Sequence, residues 1–229
     1  MQDKRTAIAR AALDIQAVKL QPDVPFTWAS GYRMPVYNDN RLFLFYPQYR
    51  TLICDAFAER IEAASIPCDV VAGTPTAGIP HAALLAEKLG KPFIYPRKQQ
   101  KDHGMQNQIE GIRHAGMIAG KQVLMIEDLI STGKSSVAAL KTIREAGAEV
   151  DTCLSIFTYG FDKAEEAFRN AGAAYRSLID LDLLISAPEE NIILPRGRSV
   201  CSANGSGPPL PGESALRKRT CDGVLEIYP

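Results

Sequence analysis

The chain reads as an α/β protein built on a mostly parallel central sheet flanked by helices, and three features of the sequence predict this. Val123-Leu124-Met125-Ile126 is an apolar run without polar alternation, the pattern of a strand covered on both faces. From Cys68 onward, short apolar runs alternate with helical patterns, the order that builds parallel strands joined by crossover helices. The apolar run also leads through Glu127 and Asp128 into a polar turn, after which Val137, Leu140 and Ile143 fall about one helical turn apart. A strand end that feeds a helix start is where α/β sheets bind ligands.

In chain order, Ile8, Ala11, Ala12, Ile15 and Val18 form a helical stripe, which predicts an amphipathic opening helix over about Lys4 to Lys19. Phe26 to Arg41 reads as two short extended pieces around a Ser-Gly turn, with prolines at the ends. It is either an edge ribbon or a lid that stacks a flat base on Tyr37 or Trp28. Pro47 opens a helix to about Ala64. Cys68 to Ala72 is a strand. Gly73-Thr74-Pro75-Thr76-Ala77-Gly78 is then either a tight turn or an anion-holding loop before a helix from Ile79 to Leu89, closed by Gly90.

Lys91 to Tyr95 is a further strand, and residues 96–111 form a long polar segment without apolar periodicity until Ile109. It is either a solvated loop or a cationic one, in which Arg97, Lys98, Lys101 and His103 meet a leaving pyrophosphate. His81 and His114 read as helix-surface and turn residues. Beyond the central strand come a strand over Val150 to Tyr159, a helix over Lys163 to Asn170 capped by Asp162-x-x-Glu165, a strand over Ala174 to Ile179, and a short helix over Leu181 to Ile185. Residues 196–229 are rich in Gly, Ser, Pro and Arg and read as an extended or disordered tail, so the main domain is placed at 1–195.

With 229 residues, 46% hydrophobic and 23% charged, the chain has the composition of an ordinary globular protein with a sizeable core. Lys+Arg and Asp+Glu both number 26, which removes the electrostatic basis for general nucleic-acid binding. Asp3, Lys4, Arg5, Arg10, Asp14 and Lys19 interrupt the first turns, so these are neither a signal peptide nor a membrane span, and a cytoplasmic protein is expected. Cys54, Cys68, Cys153, Cys201 and Cys221 are odd in number and lack a Cys-x-x-Cys pair, which suggests buried thiols rather than a disulfide framework or zinc site.

The chemistry concentrates at Glu127-Asp128-Leu129-Ile130-Ser131-Thr132-Gly133-Lys134-Ser135. Free N–H groups at a helix start, the hydroxyls of Ser131, Thr132 and Ser135, and a flexible Gly133 together make a phosphate cradle, to which the helix dipole adds favourable potential. Two acids repel a phosphate. They therefore face sugar hydroxyls or a hydrated divalent cation, and the site reads as sugar plus phosphate. The nucleotide-triphosphate loop Gly-x-x-x-x-Gly-Lys-Ser does not fit, because it needs glycine where the chain has Asp128.

A hydrophobic strand, two acids and a Thr-Gly loop resemble the phosphoribosyl pyrophosphate (PRPP) motif of type I phosphoribosyltransferases. Three further segments resemble the orotate phosphoribosyltransferase family: Phe26 to Arg41 with its Pro35-Val36-Tyr37-Asn38-Asp39-Asn40-Arg41, Gly73 to His81, and Arg97-Lys98-Gln99-Gln100-Lys101-Asp102-His103-Gly104. The last is the most specific, and Phe157-Thr158-Tyr159-Gly160 adds to it; the likeness runs from about Ala7 to Ile185, and the tail falls outside it.

The resemblance implies the type I fold with a small hood over about residues 20–45, and Mg²⁺-dependent transfer of phosphoribosyl from PRPP to orotate in pyrimidine biosynthesis. Arg97, Lys101 and His103, helped by Lys98, would bind the pyrophosphate; Glu127, Asp128, Leu129, Ile130, Ser131, Thr132, Gly133, Lys134 and Ser135 would hold the ribose phosphate. Lys101, His103 and Asp128 would be catalytic, Ser131 and Tyr37 would meet orotate, and Mg²⁺ would arrive on the substrate without a direct protein ligand. A homodimer is also implied, with the loop 97–110 completing the neighbour's site. The chain departs from some members at Ala29 and Ala77, where they have lysine, and near Tyr159 to Phe161, where some carry an orotate-binding arginine. Backbone groups of Ser30 to Arg33 are then the candidates to hold the orotate carboxylate. Two competing readings are transfer to another base and a PRPP sensor that binds nucleic acid without turnover.

Overall fold

The computed structural model describes residues 2–20, 26–27, 33–34, 36–97 and 108–186. Helix α1 (Gln2–Asp14) is followed by strand β1 (Val18–Leu20), the short pieces β2 (Phe26–Thr27) and β3 (Arg33–Met34), β4 (Val36–Asn38), and a 3-10 turn over Asn40–Phe45. Helix α2 (Pro47–Ala63) leads to β5 (Val70–Gly73), α3 (Gly78–Leu89), β6 (Phe93–Pro96) and β7 (Ile109–Glu110). After a 3-10 turn over Ala115–Met117 come β8 (Val123–Ile130), α4 (Lys134–Glu145), β9 (Thr152–Thr158), α5 (Asp162–Asn170), β10 (Ala174–Asp180) and α6 (Leu181–Ser186).

The main sheet has six strands in the order β10-β9-β8-β5-β6-β7. Every pair is parallel except β6 with β7 at the edge. Strand β8 is central, and its apolar residues divide between two cores. Leu124 and Ile126 join Ile8 and Ala12 of α1, Ile53 and Phe57 of α2 and Leu85 of α3 on one face. Val123 and Met125 join Leu140 and Ile143 of α4 and Phe168 of α5 on the other. Burial on both faces is the physical reason for the unbroken apolar run.

The antiparallel hairpin expected near the start of the chain is present, β2 pairing with β3 with Phe26 opposite Met34, and a second ribbon that was not expected pairs β1 with β4, Val18 opposite Asn38. Strand β1 corrects the expected extent of the first helix. The helix stops at Asp14, Gln16 takes a positive φ of 56°, and Val18 goes into the ribbon. Val18 is buried in either arrangement, so the helical stripe could not distinguish them.

Three further expectations change. Strand β8 runs on to Ile130, because β9 continues to pair with it at Leu129 and Ile130; the two acids therefore lie inside the strand and not beyond its end. The N-cap of α5 is Phe161 and makes no side-chain cap bond, so Asp162 and Glu165 act as first-turn acids on the helix dipole and not as a capping box. His81 is not on a helix surface: it is 1% exposed within α3, and burial pushes its imidazole down to about 4, keeping it neutral. Cys54 and Cys153 are buried thiols and Cys68 is half-buried, as expected. Among the described residues no helix is long and apolar enough to cross a membrane. Residues 196–229 lie outside the described residues.

Candidate active site

The sheet changes direction between β5 and β8. From β5 the chain moves outward through β6 and β7, whereas from β8 it moves the other way through β9 and β10. The carboxyl ends of β5 and β8 flank this switch point, where loops diverge and leave a crevice. The loop 74–77 leaves β5, and Ser131-Thr132-Gly133 leaves β8, so both loops read as anion cradles converge on one place.

The β5 loop approaches the acid strand closely. The Thr74 N–H donates to the Ile126 carbonyl at 2.9 Å, and the Gly78 N–H donates back to the Thr74 carbonyl at 3.0 Å. A Cβ on Gly78 would stand 2.5 Å from the Ile126 oxygen and 3.2 Å from Glu127 Cα, so only glycine lets α3 begin against β8. Thr74 is buried, and its hydroxyl has no hydrogen-bond partner among the described residues.

On the β8 side, Gly133 stands immediately before α4 with φ 73° and ψ −3°. A Cβ there would lie 3.1 Å from the Phe168 ring, so backbone conformation and space both select glycine. The first helical bond runs from the Val137 N–H to the Gly133 carbonyl at 2.9 Å, leaving the N–H groups of the first turn directed out of the helix end. Thr132, Lys134 and Ser135 are exposed and Ser131 is half-buried, so the cradle is open to a ligand.

The two acids differ in environment. Glu127 is 4% exposed; its Oε2 accepts the Ser136 hydroxyl at 3.0 Å and its Oε1 accepts the Asp128 N–H at 3.1 Å. Burial, then the neighbouring Asp128 carboxylate, pushes the Glu127 carboxyl up to about 9. Asp128 is half-buried and is also raised by burial, but its hydrogen bond with Glu127 and the attraction of Arg41 oppose the rise. Burial thus favours the protonated carboxyl at Glu127, the more deeply buried of the two, while Asp128 is the more open to solvent. Asn40 Nδ2 donates to the Asp128 carbonyl at 2.6 Å.

Tyr37 of β4 is 40% exposed, with its ring centroid 5.6 Å from that of Phe26. Arg97 stands at the base of the long polar segment. Its N–H donates to the Gln108 carbonyl at 2.8 Å, and its Nε donates to Glu110 Oε1 at 2.5 Å. That stem is a short hairpin, Tyr95 opposite Glu110, which sequence periodicity missed because β7 has only Ile109 and Glu110. Lys98, Lys101 and His103 lie outside the described residues, as do Trp28, Ala29 and Ser30. Sequence reading also passed over Ser136, which looks like an ordinary helix hydroxyl, and Asn40, whose only signal was its place in the Asp-Asn-Arg run.

Residues 47–182 match the family of the phosphoribosyl transferase domain. The chain is 49% identical over 185 residues to an orotate phosphoribosyltransferase of Staphylococcus saprophyticus, a span covering 81% of this chain and 89% of that protein. It is 44% identical over 184 residues to an orotate phosphoribosyltransferase of Cytophaga hutchinsonii, covering 80% and 86% of the two chains. The chain belongs to the orotate phosphoribosyltransferase family. The crystal structure of an orotate phosphoribosyltransferase from Aeropyrum pernix superposes with a TM-score of 0.67 at 29% identity, covering 78% of this chain and 96% of that one. The mostly parallel sheet and its flanking helices are thus those of the type I phosphoribosyltransferase fold.

Within this orotate phosphoribosyltransferase fold, Ala77 occupies the turn that opens α3 with backbone angles φ −79° and ψ −21°, placing only a methyl group there. Just past the end of β9, Tyr159 is 6% exposed and its ring stacks on Phe161 at 5.4 Å.

Proposed function

We propose that the chain transfers the phosphoribosyl group of PRPP to orotate, giving orotidine 5′-monophosphate and pyrophosphate, a step of pyrimidine biosynthesis. The observation that carries this reading is the Glu127–Asp128 pair beside the α4 cradle at the sheet's switch point, in a chain that belongs to the orotate phosphoribosyltransferase family. The cradle of Ser131, Thr132, Gly133, Lys134 and Ser135 holds the 5-phosphate, with Leu129 and Ile130 leading the strand into it. Asp128 faces the ribose hydroxyls, with the buried Glu127 behind it holding the Asp128 N–H.

In the reaction, orotate N1 attacks the anomeric carbon and releases its proton to solvent as the bond from that carbon to the pyrophosphate oxygen breaks, and positive charge builds on the sugar. The Asp128 carboxylate stabilises that charge. Arg97, Lys98, Lys101 and His103 neutralise the departing pyrophosphate, and His103 gives it a proton. Tyr37 and Ser131 hold the flat pyrimidine, and the Ser30 to Arg33 backbone takes its carboxylate.

Mg²⁺ fits this donor set. The half-buried Asp128 carboxylate at the ribose site is a hard oxygen donor of the kind this ion takes. Because Mg²⁺ keeps most of its waters and binds substrate phosphates with few protein ligands, it would be carried on PRPP, where its charge would offset that of the pyrophosphate. We also infer a cytoplasmic homodimer in which residues 97–110 of one chain complete the other chain's site. The test is loss of orotate ultraviolet absorbance on mixing the protein with PRPP and Mg²⁺, beside parallel mixtures with uracil, hypoxanthine and xanthine. Consumption of orotate alone is the expected result. Consumption of another base, or of none while PRPP still binds, overturns the reading.

A further inference from the structure

Asn40 has no role in the site as described, yet it is 1% exposed and reaches across the fold to the acid strand. Strand β5 ends at Gly73, opposite Ile126. Past that point the β5 side of β8 has no strand to pair with, and an unpaired buried carbonyl is costly. The Asn40 amide takes the place of the missing strand, donating Nδ2–H to the Asp128 carbonyl at 2.6 Å.

The residues around Asn40 are arranged to present that amide. The Asp39 N–H is fixed to the Ala17 carbonyl at 2.7 Å, and Asp39 Oδ1 accepts the Arg41 N–H at 3.2 Å, opening the turn on which Asn40 sits. The Arg41 guanidinium grips both Asp39 oxygens, at 2.6 and 2.9 Å. Asn40 Oδ1 has no hydrogen-bond partner among the described residues, so Nδ2 alone anchors the amide. Asp128 is thereby fixed at both main-chain groups: its N–H on Glu127 Oε1 and its carbonyl on Asn40.

We propose that Asn40 is a positioning residue for the transfer step. By clamping the Asp128 carbonyl it sets the direction in which the Asp128 carboxylate meets the ribose, and it ties the segment bearing Tyr37 to the ribose site. This inference rests on the assignment of Asp128 under the proposed function.

The test is a double-mutant cycle on the full chain: kcat and KM for orotate consumption in wild type, Asn40→Ala, Asp128→Asn and the double variant, with a thermal unfolding curve for each. Asn40→Ala is expected to lose about tenfold in kcat with the KM for PRPP little changed, the fold-change that one buried hydrogen bond carries. In the Asp128→Asn background the same change is expected to cost less than about threefold, because the carboxylate it positions is gone. Asn40→Ser, which keeps a donor on a shorter arm, should fall in between, and it carries the same cycle if Asn40→Ala does not fold. A purely structural Asn40 would lower the unfolding midpoint and leave kcat of the folded protein unchanged, or its cost would simply multiply with that of Asp128→Asn. Either result overturns the inference alone. If Asp128→Asn by itself leaves turnover intact, the assignment of Asp128 falls and the role of Asn40 falls with it.

Discussion

Ser136→Ala probes the site without touching a substrate-facing group. Ser136 is 1% exposed and its hydroxyl donates to Glu127 Oε2 at 3.0 Å, so removing it leaves a carboxyl oxygen buried without that donor. With Glu127 protonated the lost bond is a neutral one, and the expected destabilisation is about 1 kcal/mol. With Glu127 ionised the bond is charge-assisted, and the expected loss grows to about 1.5–3 kcal/mol. The Ser136 hydrogen bond holds the Glu127 carboxyl down against burial, so its removal pushes that carboxyl higher still. The destabilisation of Ser136→Ala should therefore be smaller at pH 6 than at pH 10, the two sides of the Glu127 value of about 9. Urea unfolding of wild type and variant at the two pH values measures it. A destabilisation independent of pH, or a variant within about 0.3 kcal/mol of wild type at both, would refute the placement of a protonated Glu127 against Ser136.

Three other outcomes are expected. Because the folded state holds a proton on Glu127 that the unfolded chain releases near 4.5, Glu127 makes stability fall as pH rises from about 4.5 to about 9. The slope from this one group is at most about 1.4 kcal/mol per pH unit, and comparison of urea midpoints across pH 6–9 should show a flatter profile for Glu127→Gln than for wild type. Gly133→Ala places a Cβ at φ 73° and 3.1 Å from the Phe168 ring, so the loop must shift. The variant should lose about 1–2 kcal/mol of stability and raise the KM for PRPP more than that for orotate, and equal KM values for wild type and variant would remove the loop from phosphate binding. Lys101→Ala should lower turnover about 10²-fold or more. Mixing that inactive chain with inactive Asp128→Asn chains should restore part of the activity if the sites are shared between subunits, and no recovery after subunit exchange would argue for self-contained sites.

The sequence by itself determined much of this protein. An apolar run needing cover on both faces required a central strand; glycine and hydroxyls after it marked the turn that opens a helix; and the Lys101-Asp102-His103-Gly104 run narrowed the family. These features are legible because each arises from residues adjacent in the chain, where period, turn chemistry and spacing act directly. Tertiary structure decided what depends on distant residues. The strand order that puts the switch point between β5 and β8 is not written in any local pattern. The acids lie within β8 because β9 pairs beyond Ile126, and the strand could not be extended from its own sequence across two charges. Glu127 is pushed toward its protonated form because the fold removes water from it and sets Asp128 beside it, while the Ser136 hydroxyl works the other way; nothing in two adjacent acids says which one is buried. Asn40 reaches Asp128 across 88 positions, filling a carbonyl left open because β5 stops short; hydrogen-bond demand of this kind exists only once the sheet is assembled.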